Sequence, residues 1–130
     1  MKQLSMEELN RITEAIIGAA IEVHKQLGPG LLESAYRECL RYELLQRDYV
    51  ALQEVPLPLI YKGLRLDCGY RLDLLVNDAV IVEVKSVNDL APIHEAQLLS
   101  YLKISGGKIG LLLNFNIRIL TRGGIKRLAN

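Results

Sequence analysis

The chain has 130 residues, half of them apolar and 24% charged, with a formal net charge of +1. This balance excludes disordered and fibrous classes, and it excludes a protein coated in basic residues for wholesale nucleic-acid binding. The length suits one domain, 1–130, with a single core and little surplus for appendages.

A first helix is predicted over 6–27. Ser5 and Glu8 fit a capping box, and Leu9, Ile12, Ile16, Ala20, Val23 and Leu27 recur at three- and four-residue spacing. Its polar, acid-containing start lacks the basic and apolar regions of a signal peptide. No apolar run approaches the ~18 to 20 residues that cross a bilayer, so a cytoplasmic protein without membrane contact is expected. His24, near the helix end, is expected to meet terminal carbonyls. Gly28-Pro29-Gly30 stops the helix, and a second is predicted over 31–47 on Leu32, Ala35, Tyr36, Cys39, Leu40 and Leu44.

The period then changes to two. "VALQEVPLPLIY" reads as one strand that Pro56 and Pro58 interrupt or hold at a sheet edge; Lys62-Gly63 turns the chain, and "LRLDCGYRLDLLV" returns. A third strand spans 80–86. Pro92 opens a helix that Gly106-Gly107 ends near Ser105, "KIGLLLNF" reads as a buried strand, and "IRIL" as the last one. Helices must cover the apolar faces of such a sheet, which gives a mixed α/β layered domain. Cys39 and Cys68 are too few and too far apart for a zinc knuckle or a redox pair, and are expected as small buried thiols. No acid follows Glu95, whereas Lys103, Lys108, Arg118, Arg122, Lys126 and Arg127 do, which could furnish a phosphate-facing patch or a solvated basic edge.

The stretch "YRLDLLVNDAVIVEVKS", residues 70–86, sets Asp73, Glu83 and Lys85 among strand-forming aliphatics. A two-residue turn at Asn77-Asp78 would mix acids and aliphatics on each sheet face. A three-residue loop over 77–79 instead pairs Leu72 with Val84, Leu74 with Val82 and Val76 with Val80, and leaves Asp73 opposite Glu83 on the other face. Glu83 and Lys85 then share a face, roughly 6.5 to 7 Å apart along the strand. Arg71 would face Lys85, an awkward like-charge pair. Facing carboxylates repel, so either one is protonated or a cation lies between them, and hard oxygen ligands favour magnesium or manganese over zinc.

Asp73, nine intervening residues, and Glu83-Val84-Lys85 resemble the PD-(D/E)-x-K nuclease superfamily, with Leu72 in the proline position. Gly30-Leu31-Leu32-Glu33-Ser34-Ala35-Tyr36 is similar to the signature of the small G-x-x-E-x-x-Y family, and Gln97-Leu98-Leu99-Ser100-Tyr101 to the Q-x-x-x-Y motif of RecB-like nucleases. The resemblance implies a restriction-endonuclease-like αβββαβ core, a mixed central sheet flanked by helices. It implies that Asp73 and Glu83, with the Val84 backbone carbonyl, hold Mg²⁺, for which Mn²⁺ can substitute, and that Lys85 orients or deprotonates the attacking water. Glu33 would add a metal ligand, although an acid in a first helical turn is also favoured by the helix dipole. Gln97 and Tyr101, four apart on one helical face, would position Lys85 or the nucleic-acid backbone, and His94 could join them. Tyr36 is expected in the core with its hydroxyl at the site edge. The remaining aromatics show no clear stacking platform for single strands.

The expected activity is metal-dependent hydrolysis of phosphodiester bonds, in DNA foremost. The alternative is a catalytically inactive nucleic-acid-binding or assembly subunit with the same fold, which the small size and modest charge motivate. Under either, an exposed edge strand and a limited basic surface predict a homodimer.

Overall fold

The Ser5 hydroxyl accepts the Glu8 N–H at 3.1 Å and the Glu8 carboxylate turns back to Ser5, so helix α1 (Met6–Leu27) starts where its capping box places it. A computed structural model describes all 130 residues. Helix α2 (Glu33–Gln46) follows, then strands β1 (Ala51–Pro56), β2 (Leu59–Tyr61), β3 (Leu64–Leu66), β4 (Arg71–Val76) and β5 (Val80–Lys85). Helix α3 (Pro92–Ser105) and strands β6 (Ile109–Asn114) and β7 (Ile125–Ala129) complete the chain. Five strands form one mixed sheet in the order β1-β4-β5-β6-β7, in which β5 and β6 are parallel and the other neighbours antiparallel. Helices flank the sheet, as the α/β reading requires.

Period and packing agree along most of the chain. Val80, Val82 and Val84 of β5 enter a large core with α1 and α2, whereas Ile81 enters a smaller core with Leu98, Tyr101 and Leu102 of α3. Each such buried aliphatic removes enough apolar surface from water to favour the fold by roughly 1.5–3 kcal/mol. The parallel β5–β6 pair needs a crossover, and α3 supplies it, packing on β6 so closely that a Cβ at Gly110 would lie 2.8 Å from Leu98.

Three expectations give way. The proline-containing segment is two strands, and β2 and β3 leave the main sheet as a separate hairpin turned by Lys62-Gly63, both at positive φ. Pro56, without an N–H, stands at the end of edge strand β1, as its chemistry demands. "IRIL" is not a strand. Leu120 and Ile117 pack into the core from a turn instead, and the Gly124 N–H bonds to the Leu120 carbonyl, so the strand that pairs with β6 begins only at Ile125. A side chain at Gly124 would meet the Leu120 and Asn114 carbonyls at 2.7 and 2.8 Å, and glycine is what allows this tight closure. Cys39 is half-buried and Cys68 exposed, so only the first approaches the buried thiol expected.

Two side chains tie down the loops that meet at the end of α1. The His24 ring nitrogen Nε2 lies 2.7 Å from the Ile117 carbonyl in the β6–β7 connection rather than on the carbonyls of its own helix. Tyr36, fully buried, stacks on Phe115 with ring centroids 4.6 Å apart. Its hydroxyl donates to the Gly28 carbonyl and accepts the Leu31 N–H, so it is spent on the loop and does not reach the site edge. Helix α2 starts at Glu33, two residues after the predicted start, with Leu32 in extended backbone as its N-cap. Tyr36→Phe should cost about 1–2 kcal/mol, because the loop's N–H and carbonyl lose their buried partner, and Tyr36→Ala about 3–5 kcal/mol through the added cavity; urea unfolding monitored by circular dichroism measures both.

Candidate active site

The β4–β5 register is the one the three-residue loop requires: Leu74 opposite Val82, Leu75 opposite Ile81 and Val76 opposite Val80. Extended by one step it sets Asp73 against Glu83, and there the ladder stops. β4 goes on pairing with β1 as far as Arg71 and Pro56, and β5 with β6 as far as Lys85 and Asn114. The two central strands therefore part at the acids.

Side-chain facing changes at the same level. Leu74 and Val76 pack with α1 and α2, but Leu72 packs with α3, so Leu72 does not share a face with Val84 as strict alternation predicts. Across on β1, Gln53 pairs with Leu74 and Val55 with Leu72, and Glu54 between them has φ of +50°. A left-handed glutamate costs roughly 1–2 kcal/mol, which the continued pairing on both sides of it holds in place. Arg71 is consequently directed to Pro56, and its awkward opposition to Lys85 does not arise.

The gap is filled by the acids themselves. The Asp73 N–H donates to Glu83 Oε2 at 2.9 Å, and the Val84 N–H donates to Asp73 Oδ2 at 2.8 Å. Each carboxylate thus replaces a ladder acceptor, and Asp73 Oδ1 and Glu83 Oε1 accept no hydrogen bond from the protein. Glu83 is only 3% exposed. Burial, then the neighbouring Asp73 charge, push its carboxyl up to about 8. Burial also raises Asp73, against the opposing pull of the Val84 N–H and of the Lys85 and Arg37 charges.

Lys85, half-buried at the end of β5, lines a cleft of about 500 Å³ together with His94, Gln97 and Tyr101 of α3. The Tyr101 hydroxyl is raised, first by burial and then by the Glu83 and Asp73 charges, with Gln97 working the other way. Asp73, Glu83, Lys85, Gln97 and Tyr101 are thus brought together. Glu33 reaches the same neighbourhood from the start of α2, where its carboxylate accepts the Ser86 N–H at 3.1 Å and its charge acts on both acids. It does not join Asp73 and Glu83 in a three-carboxylate cluster of metal-binding geometry. His94 Nδ1 accepts the Ala91 N–H at 2.9 Å and so caps α3 while facing the cleft.

Two contributors escape a reading of the sequence. Arg37, one turn beyond Glu33, brings a cation to Asp73; it lies 3.7 Å from Glu54, and its Nε is buried without a partner. Its spacing from Glu33 was the available signal, but only the fold aims that helix face at the acids. Asn114, 3% exposed, clamps the turn after β5 by accepting the Val87 N–H and donating to the Val87 carbonyl. The basic tail is partly spent elsewhere: Lys126 pairs with Glu95 at 3.1 Å, and Arg127 donates to Asn10.

A divalent cation fits this donor set. Two carboxylates, Glu83 buried and Asp73 half-buried, each keep one oxygen unbonded, all donors are hard oxygens, and burial penalises both negative charges until a cation compensates them. Comparison with known proteins agrees with the geometry. A family model described as the PD-(D/E)XK nuclease superfamily matches residues 10–128, and the chain belongs to that superfamily. No curated protein matches, and no solved structure does.

The Glu83 shift has a definite consequence for stability. Between its ordinary value of 4.5 and about 8 the folded chain keeps a proton that the unfolded chain has released. The stabilisation is complete below that window and is lost as pH rises through it. In EDTA, the melting temperature should fall by several degrees between about pH 5 and pH 8, and Glu83→Gln should flatten the decline. A wild-type profile that is flat across this range, followed by scanning calorimetry, would contradict it.

Proposed function

We propose that this member of the PD-(D/E)XK nuclease superfamily is a metal-dependent phosphodiesterase acting on DNA. The observation that carries the reading is the pair of carboxylates, Glu83 buried and Asp73 half-buried, at the parting of β4 and β5, beside a lysine that opens on a cleft. Asp73, Glu83 and the Val84 carbonyl would hold Mg²⁺, or Mn²⁺ in its place, with Glu33 acting directly or through water. The bound ion supplies charge that polarises the phosphoryl oxygen and acidifies the attacking water. Lys85 orients that water and offsets phosphate charge; Gln97 and Tyr101 fix Lys85 or the strand backbone. Arg37 of α2 favours the charged form of Asp73.

The loop pinned by Tyr36, with Glu33 on the end of β5, supports placement in the G-x-x-E-x-x-Y family. Two cysteines without a disulfide are in keeping with a cytoplasmic protein, and no helix is long and apolar enough to cross a membrane. Edge strands β1 and β7 and the thin basic surface support a homodimer that extends the groove; a monomeric mass in sedimentation would remove that part.

Labelled single-stranded, duplex and branched DNA should be cut in Mg²⁺ or Mn²⁺ and spared in EDTA. Asp73→Asn, Glu83→Gln and Lys85→Ala should each slow cleavage by about 100-fold or more. Titration calorimetry separates the roles: Asp73→Asn should lose Mn²⁺ binding and Lys85→Ala should keep it. Cleavage that survives in Asp73→Asn would mark a contaminant, and Mn²⁺ binding without cleavage of any strand would leave the substrate class open. A wild-type chain that binds no Mn²⁺ would favour the non-catalytic subunit.

A further inference from the structure

We propose that the cleft between α3 and the β2–β3 hairpin receives an unpaired nucleotide, so that the neighbouring acids work on single-stranded or frayed nucleic acid in preference to intact duplex. This rests on the phosphodiesterase reading of that site and names its substrate class.

The cleft measures about 500 Å³, and five of its nine lining residues are apolar: Leu59 on one side, Ile93 and Ile104 on α3, and the rings of Tyr70 and Tyr101, whose centroids lie 6.2 Å apart at 61°. Ile93 is 70% exposed and Tyr70 44%, so an apolar surface stands uncovered next to Lys85. A nucleobase presents apolar faces and a polar edge, and the cleft has donors for that edge. His94 Nδ1 is occupied by the Ala91 N–H, which leaves the neutral ring's proton on Nε2, and Gln97 and Ser100 follow along the same helix. Bases stacked and paired inside a duplex cannot enter such a recess without being extruded, whereas an unpaired base can.

The wall continues outward along the hairpin. Leu59 and Tyr61, two apart on β2, share a face, and Leu64 pairs with Tyr61 beyond the rim. Tyr61 and Leu64 are each 58% exposed. Lys62 Nζ stands 5.5 Å from the Tyr61 ring centre, whereas Arg65 pairs with Ile60 on the opposite face and with Asp67 at 3.4 Å. Aromatic faces that accept any base, with cations to follow the backbone, are the means by which proteins hold single strands. The hairpin tip offers Tyr61 and Lys62 for this, and the cleft offers Tyr70, Tyr101 and Lys85.

Fluorescence anisotropy in EDTA reads binding without hydrolysis. A labelled mixed-sequence strand should bind about tenfold tighter than the blunt duplex containing it; Tyr70→Ala should lose about tenfold, Tyr70→Phe should retain the affinity, and Tyr42→Ala on the far surface of α2 should change nothing. Duplex binding equal to or tighter than single-strand binding overturns the proposal. So does a single strand that fails to bind at about 100 µM, or a Tyr70→Ala protein that binds like the wild type. The two readings fail separately: an inert chain with this binding pattern would refute the nuclease and keep the subsite, and an active enzyme that grips duplex would do the reverse.

Discussion

The exchange of hydrogen bonds between Asp73, Glu83 and the Asp73 and Val84 amides is the constraint around which the domain is arranged. A sheet whose central strands separate leaves amides without acceptors, and an unpaired buried amide costs about as much as the hydrogen bond it has lost. Here the two carboxylates serve as those acceptors, which spares the backbone but strands negative charge in a dry place. A proton on Glu83 relieves that charge up to about pH 8, and a divalent ion can relieve it in the proton's place. Structure and chemistry therefore share the same four groups: removing either acid disturbs the sheet as well as the site.

The surrounding elements keep the split from closing or spreading. Glu54 takes a left-handed conformation opposite Asp73, so the facing of β1 changes in step with that of β4 and their pairing survives. Arg37 leans toward Asp73 from α2, and the hydroxyl of Tyr36 one residue before it holds the loop that sets where α2 begins. On the other face α3 delivers Tyr101 and Gln97 because Leu98 and Leu102 of the same helix are buried against the sheet.

Much of this was legible in the residues. The capping box, the glycine stops and the valine alternation located all three helices and the hairpin register, because local chemistry decides them. The separation of β4 from β5 was not legible. Leu72 has the spacing of a partner for Val84, and only the kink shared with β1, a neighbour some twenty residues away in sequence, turns it to the other core. Ile117 to Leu120 alternate like a strand, yet closure on Gly124 makes them a core-filling turn. Arg37 reads as an ordinary surface cation until α2 is docked, and the cleft belongs to no single segment, since it joins a hairpin, a loop tyrosine and a helix. Tyr70 and Tyr101 lie 31 positions apart, which is why no aromatic platform was visible in the sequence.

The hydrogen bonds around Ser86 fix the end of β5. Its hydroxyl donates to the Leu31 carbonyl at 2.7 Å, its amide to Glu33, and Asn114 fastens the turn just behind. With the end of β5 so fastened from α2 and from β6, Lys85 is left bordering the cleft between Leu59, Tyr70 and α3.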